Sequence, residues 1–397
     1  MSAGTAVVLA AGEGTRLRPL TQNRPKPMLP AANRPILEHV LDALVEADID
    51  RLVLVVGYRR ERVQDHFGST YRGVDIDYVH QDKQLGSGHA LLQAQSSISG
   101  PMLVVNGDRL IESKSVEQVR TAFEAGESLP TMAVIEHENT SRYGVVSLDG
   151  DRVTEIVEKP QTDDYRLINA GIYAFDESIF ETIARTPRRS GELALTDSIA
   201  REIERNAVRS VHIDGLWVDA TYPWDLLSVA SEILDRGRAT GPETRAGIWI
   251  ADAARVHDDA TLRAPVVVGP NCEIGPGSVI GPNVSIAANT TIEANVTIER
   301  SVLDSDCRVA PGSTLVDAVL GQNVHLGVGT VIPGGPSDVR IDNTVFEAQP
   351  LGAVLADRVR AASSVSFAAG TLVGTNASIG AGCHVTGRIR EDAEVVR

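Results

Sequence analysis

Gly12-Glu13-Gly14-Thr15-Arg16-Leu17-Arg18-Pro19-Leu20-Thr21, followed by Pro25-Lys26-Pro27, is the stretch of this chain best equipped for chemistry. It follows directly on the apolar run Ala6-Val7-Val8-Leu9-Ala10-Ala11, which reads as a strand buried in a parallel sheet. A glycine-rich turn leaving such a strand can press bare backbone N–H groups against a phosphate. Two arginines and a lysine within about fifteen residues would neutralise the charge of that phosphate. Asn106-Gly107-Asp108 also closes an apolar run, Met102-Leu103-Val104-Val105. In a parallel sheet the glycine loop and this carboxylate converge at the carboxyl ends of their strands, where ligands of such sheets bind.

These residues carry a family resemblance. GEGTRLRPLT…PKPMLP resembles the signature of sugar-1-phosphate nucleotidyltransferases. It is neither a Walker loop, lacking GK[ST], nor a Rossmann dinucleotide fingerprint, lacking the third glycine. The resemblance runs along nearly the whole chain. It implies attack by a sugar-1-phosphate oxygen on the α-phosphorus of a nucleoside triphosphate, with pyrophosphate leaving. Two polyanions must meet, so positioning and charge neutralisation are the chief requirements.

The resemblance assigns catalysis to Arg16, Lys26 and Asp108, and Mg²⁺ binding to Asp108 and Asp219, the latter within Trp217-Val218-Asp219. The chain departs from the family after Asp219, where Ala220 stands instead of the usual glycine. Nucleotide contacts fall to Ala11, Gly12, Gly14, Thr15, Gln81, Gly86 and Ser87, the last three from Gln81-Asp82-Lys83-Gln84-Leu85-Gly86-Ser87-Gly88-His89. Sugar contacts fall to Gly144, Glu158, Lys159, Asn169 and Gly171. His89 is expected to pack at a helix start, Asp225 to cap the final helix, and Thr196 or Asp197 to cap the helix after Glu192-Leu193-Ala194-Leu195.

Two halves position these groups. Residues 1–235 alternate strand-like runs, including Leu52-Val53-Leu54-Val55-Val56, with helical patterns such as Ile36 to Ala47. This βαβ grammar predicts a doubly wound, Rossmann-like α/β nucleotidyltransferase domain. Residues 236–254 read as a linker. In 255–397 an aliphatic residue recurs every sixth position at Val256, Leu262, Val268, Ile274, Ile280, Ile286, Ile292 and Ile298. The phase slips near Asp304 and resumes at Leu320, Leu326 and Ile332. That hexapeptide period predicts a left-handed parallel β-helix. In the family such domains associate as trimers, so the resemblance implies a homotrimer or a dimer of trimers.

The resemblance extends to archaeal-type enzymes that add a glucosamine-1-phosphate acetyltransferase in the β-helix. That activity needs a base six residues before the position of Asp317, and Pro311 stands there. The β-helix is therefore expected to be an assembly element. Three readings remain beside a uridylyltransferase of N-acetylglucosamine-1-phosphate or glucose-1-phosphate. They are a glucose-1-phosphate thymidylyltransferase, the bifunctional enzyme, and a non-catalytic regulatory subunit.

Composition bounds the partners. A net charge of −16 argues against nucleic acid, which selects a basic surface. No apolar run is long enough to span a bilayer, and no basic segment precedes the first one, so a cytoplasmic protein without a membrane partner is expected. Four lysines stand against 33 arginines, which with the acidity points to a halophilic source. Two of the four, Lys26 and Lys159, lie in the motifs above, where a compact ammonium suits phosphate. Cys272, Cys307 and Cys383 form no metal-binding spacing and are expected to be buried and reduced.

Overall fold

A computed structural model describes residues 4–126, 129–138, 140–158, 160, 165–205 and 207–396. The chain forms two compact units. The first takes in residues up to Glu13, Pro25–Met28 and Ile36–Val218. The second takes in Gly14–Arg24, Leu29–Pro35 and the chain from Asp219 onward. The phosphate-loop motif is thus shared, its arginines in one unit and its lysine in the other.

The first unit is built on a ten-stranded sheet. Its parallel centre sets Met102–Asn106, Thr5–Ala10, Arg51–Val56 and Val74–His80 side by side. Leu167–Phe175 runs antiparallel on the other flank of Met102–Asn106. Alternate side chains of each strand enter opposite layers. Ala6, Val8, Leu52, Leu54, Leu103 and Val105 pack with the helices Ile36–Glu46 and Ser113–Ala125. Val7, Val53, Val55, Met102 and Val104 pack with Ser87–Gln93, Ile179–Arg185 and Leu195–Arg205. Burial on both faces is why these strands read as unbroken apolar runs. The carboxyl ends of all four central parallel strands therefore face one edge of the sheet.

The second unit is a left-handed β-helix of three sheets, with nine, eight and seven strands, their ladders parallel except where Glu243–Arg245 pairs antiparallel with Ile248–Ile250. Every hexad residue from Leu262 to Ile298 is buried in one continuous core, and Val256 packs against it. Asn271, Asn289, Asn323 and Asn376 hold φ between 56° and 62° at the corners. Asparagine tolerates this left-handed conformation better than most residues. Val266 pairs with Val284, but Val284 pairs with Ser301 and Val302 with Val319, so two successive coils are each a residue short of eighteen. That explains the slip near Asp304. The step from Ala318 to its partner Ala353 is longer because a hairpin, Ser337–Ile341 with Thr344–Gln349, is inserted. Phe346 of that hairpin packs on Tyr222 and Trp224, with ring centroids 4.5 and 5.3 Å away.

Two features differ from a plain linker. Glu243–Arg245 and Ile248–Ile250 are strands inside 236–254, and Ile248–Ile250 already pairs with Val266–Val268 as the first rung. Ile250 stands six residues before Val256, in phase with the hexads, and packs against the same core. The three cysteines are buried and unbonded. Burial pushes the Cys272 thiol up to about 11. Among the described residues no helix is long and apolar enough to cross a membrane.

Candidate active site

Gly107 brings the central carboxylate into place. Its N–H donates to the carbonyl of Leu9 at 3.0 Å, drawing the segment over the end of Thr5–Ala10. A Cβ there would lie 3.0 Å from Val8 Cγ1 and 3.1 Å from Ala10 Cβ, which is why a glycine precedes the aspartate. Asp108 Oδ2 then lies 2.8 Å from Lys26 Nζ, with the aspartate side chain 32% exposed and the lysine 12%. Lys26 opens a single turn, Lys26–Met28, closed by Met28 N–H donating to the Pro25 carbonyl at 3.0 Å. Proline on both sides fixes φ at those positions and stiffens the support of the lysine.

The strand-end glycine loop is open. Gly12 is exposed, and a Cβ there would meet nothing within 4 Å. Ala11 is buried, and its carbonyl accepts from Gln84 Nε2 at 3.3 Å. Gly57, a residue the sequence reading did not single out, ends Arg51–Val56 in the same place. A Cβ at Gly57 would sit 3.0 Å from both the Ala11 and Gln81 carbonyls. In the second unit Gly14 has φ 68°, and its carbonyl accepts from Leu17 N–H and Thr21 Oγ1. Thr15 and Arg16 are exposed on the turn so formed. Asp219 Oδ2 accepts from Thr221 Oγ1 at 2.9 Å. Asp225 begins the helix Asp225–Asp235, yet its carboxylate accepts from the N–H groups of Thr221 and Tyr222. It thus ties down the preceding turn rather than capping its own helix.

The loop after Val74–His80 folds on itself. Gln81 is 3% exposed, and its Nε2 donates to the Gly86 carbonyl at 3.1 Å and pairs with His89 Nδ1 at 2.9 Å. Burial, then the neighbouring Arg188, holds the His89 imidazole below its usual pKa, so it stays neutral and can accept from the amide. His89 does lie in a helix start, Ser87–Gln93, but it also orients Gln81, which the sequence did not show. Gly86 has φ +98°, and a Cβ would come within 2.5 Å of the Leu193 carbonyl oxygen. Gly88 and His89 N–H groups donate to that same carbonyl, and Leu195 N–H donates to Ser87 Oγ at 3.0 Å. The helix begins at Leu195, so Thr196 and Asp197 lie inside its first turn instead of capping it: among the described residues Thr196 Oγ1 has no hydrogen-bond partner and Asp197 pairs with Arg189, while Leu193–Leu195 forms the backstop of this loop.

A second cluster lies beside Met102–Asn106. The strand Leu167–Phe175 bulges between Asn169 and Tyr173. Asn169 closes that bulge, accepting from Gly171 N–H at 3.0 Å and donating to Tyr173 Oη at 2.7 Å. Burial pushes the Tyr173 phenol up to about 12, so it is un-ionised. Both ends of the Asn169 amide therefore serve the bulge, and its side chain is 5% exposed overall. Gly171, at φ +78°, leaves room for Asn106 and Arg109, whose side chains a Cβ would approach to 2.6 and 2.9 Å. Arg109 Nη1 donates to the Asn169 carbonyl, and its guanidinium lies 5.3 Å from the Trp217 ring centroid and 5.8 Å from that of Tyr143. Arg109 follows Asp108 directly, and that adjacency was the signal available for it. Gly144 pairs with Glu158 across two strands, and a Cβ at 144 would lie 3.1 Å from Glu158 Oε2. Lys159 lies outside the described residues.

A family model described as Nucleotidyl transferase matches residues 5–236, and one described as GMPPB C-terminal domain matches 262–368. Bifunctional protein GlmU of Methanococcus maripaludis is 33% identical over 420 residues, covering 99% of this chain and 97% of that protein. UTP--glucose-1-phosphate uridylyltransferase AglF of Haloferax volcanii is 37% identical over 224 residues, 55% of this chain and 92% of that protein. A crystal structure of UDP-glucose pyrophosphorylase complexed with UDP-glucose shares the fold, with a TM-score of 0.54 and 24% identity over 58% of this chain and 98% of that one. With a lysine–carboxylate pair where two central strands end and a family match over more than half its length, the chain belongs to the nucleotidyl transferase family.

Proposed function

We propose that this enzyme joins a nucleoside triphosphate to a sugar-1-phosphate and releases pyrophosphate, with UTP and either N-acetylglucosamine-1-phosphate or glucose-1-phosphate as substrates. The observation that carries this reading is the Lys26–Asp108 pair beside the open glycine loop. A sugar-phosphate oxygen forms the new bond to the α-phosphorus as the bond to the β-phosphate oxygen breaks. In this reading Lys26 and Arg16 bind the triphosphate and receive the charge that grows on the departing pyrophosphate. Gln81, held by His89 and Gly86, faces the base, while the backbone at Gly86 and Ser87 and at Ala11 and Gly12 frames the nucleotide. Glu158, Lys159 and the glycines 144 and 171 receive the sugar phosphate. The internal bonds of Asn169 support its acting through the bulge that shapes this end of the site.

The donor chemistry suits a hard divalent cation, since Asp108 offers a partly exposed carboxylate and phosphate oxygens would complete the shell. Mg²⁺ bound by Asp108, with Asp219 as the second carboxylate, would add charge neutralisation. Lys26, freed from Asp108 by that exchange, would turn to the phosphates.

The names of the full-length relatives raise a second, acetyl-transferring activity. Pro311 at the position of the base speaks against it. So does Asp317, 5% exposed, whose carboxylate is held by Arg300 Nε at 2.7 Å and by Gly335 N–H at 3.0 Å. We read the β-helix as a scaffold, through which the chain would assemble as a trimer or a dimer of trimers.

A pyrophosphate-release matrix with Mg²⁺ and high KCl tests the main reading. It crosses UTP, dTTP, ATP and GTP with glucose-, N-acetylglucosamine-, glucosamine- and mannose-1-phosphate. The expected result is a dominant UTP row. A dominant dTTP row would make the enzyme a thymidylyltransferase. An empty matrix from folded protein that binds a nucleotide sugar would make it a regulatory subunit. Gly86→Ala gives a finer check. Strain at that φ costs about 1–3 kcal/mol, so the KM for UTP should rise about tenfold while that for the sugar phosphate holds. Equal rises in both would remove Gly86 from the nucleotide side.

A further inference from the structure

Arg24 stands two residues before Lys26 and is 3% exposed. It belongs to the same unit as the β-helix. Its Nη1 donates to Asp304 Oδ2, and its Nη2 donates to Asp357 Oδ1 at 2.5 Å. Both aspartates are buried, at 5% and 1% exposure. Asp304 follows the strand Ser301–Leu303, and Asp357 follows Ala353–Leu355 two rungs further along the same sheet. Asp304 Oδ1 also accepts from Ser305 N–H at 2.7 Å, and Asp357 Oδ1 accepts from Gln322 N–H at 3.0 Å. Gly321 makes room for the second carboxylate, since a Cβ there would lie 2.5 Å from Asp357 Oδ1.

This is a poor way to gain stability. Two carboxylates and one guanidinium leave a buried net negative charge, and apolar side chains of the same volume often pack as well or better. Among the described residues Arg24 Nε and Asp357 Oδ2 have no hydrogen-bond partner. What a two-pronged guanidinium does supply is a fixed position, because each prong must meet its own acceptor. The segment around it is fixed to the same sheet elsewhere. Thr375 donates to Gln22 Oε1 through both N–H and Oγ1, Gln22 Nε2 donates to Glu391, and Ser285 Oγ donates to the Ala32 carbonyl. From Arg24 the chain runs through Pro25 to Lys26, with Pro27 beyond and a turn closed from Met28 to Pro25. The loop that Arg24 closes, Gly14–Arg24, also carries Arg16 in the same unit.

We propose that Arg24, Asp304 and Asp357 are positioning residues for nucleotidyl transfer, through which the β-helix sets the place of the arginine loop Gly14–Arg24 of its own unit. The inference rests on the nucleotidyl-transfer reading above. In the full-length protein, Asp357→Asn and Asp304→Asn each leave Arg24 one charged partner, and Arg24→Lys keeps the charge while losing the fork. Phe367→Leu, in the β-helix core on a different sheet from the one whose strands precede Asp304 and Asp357, serves as a destabilised control. Each variant is measured for melting temperature, for kcat and KM below that temperature, and for UTP affinity by calorimetry.

Because misplacement by about 1 Å can cost up to about 100-fold, at least one aspartate variant should lose about tenfold in kcat with the KM for sugar phosphate unchanged. UTP should bind more weakly in the same variant, and Phe367→Leu should melt earlier with normal kcat. Folded aspartate variants with normal kcat and normal UTP affinity would overturn the proposal, as would a matching kcat loss in Phe367→Leu. If wild-type protein proves inactive yet binds UTP, the nucleotidyl-transfer reading fails by itself. The affinity comparison then still decides whether the three residues position the loop.

Discussion

Asp108→Asn should lower kcat by at least about 100-fold, since charge stabilisation of this kind is worth several kcal/mol. The amide keeps the shape of the carboxylate but loses its charge. It would bind a divalent cation far more weakly and hold Lys26 less firmly. Stability should change little, because the aspartate is about a third exposed and a pair of that kind contributes only about 0–1 kcal/mol. The melting temperature should thus stay within a few degrees while turnover collapses. Measuring both on one preparation separates a chemical role from a structural one. Turnover within threefold of wild type would remove Asp108 from the reaction and leave the Lys26 contact a surface ion pair.

The second large effect lies in the β-helix. Gly281 has φ +105°, and a Cβ there would lie 1.9 Å from the Arg263 carbonyl oxygen and 2.7 Å from Val266 Cγ2. Its N–H is already committed to the Ile298 carbonyl at 2.8 Å, so the backbone cannot swing away without breaking a rung contact. Gly281→Ala should destabilise the β-helix by at least about 3 kcal/mol, combining strained φ with overpacking against backbone. Denaturant unfolding followed by circular dichroism would show it as a lowered β-helix transition. A change below about 1 kcal/mol would mean that the coil at Arg263 shifts as a body.

Much of this architecture could be read from the chain because its periods are local. A hexad aliphatic facing a narrow core leaves a mark every sixth residue, and βαβ strands buried on both faces leave apolar runs. The short coils at Val284–Ser301 and Val302–Val319 appeared as a slip of phase. The hairpin at Ser337–Gln349 left no mark in the repeat, because an insertion between coils obeys no period. The candidate site was legible where motif and strand end coincide, as at Asp108, beside which the structure sets Lys26. It was less so where one side chain acts through another. Asn169 reads as a ligand contact in a linear motif, yet its amide closes a bulge. His89 reads as helix packing, yet it orients Gln81. Arg24 carries no sequence signal at all, since its partners lie 280 and 333 residues away.

In a free solenoid each coil touches only its neighbours, so repeats can be gained or lost in evolution at small cost. Here Gln22, Arg24 and Ala32 are fastened at Ser285, Asp304, Asp357, Thr375 and Glu391, at levels along one sheet that pass over only the rung Ala318–Leu320. The stack between the first and last of these fasteners works as a rack with a set number of teeth. Adding or removing a tooth there would change a length that the loop must match, so over that span the repeat number is a dimension of the enzyme.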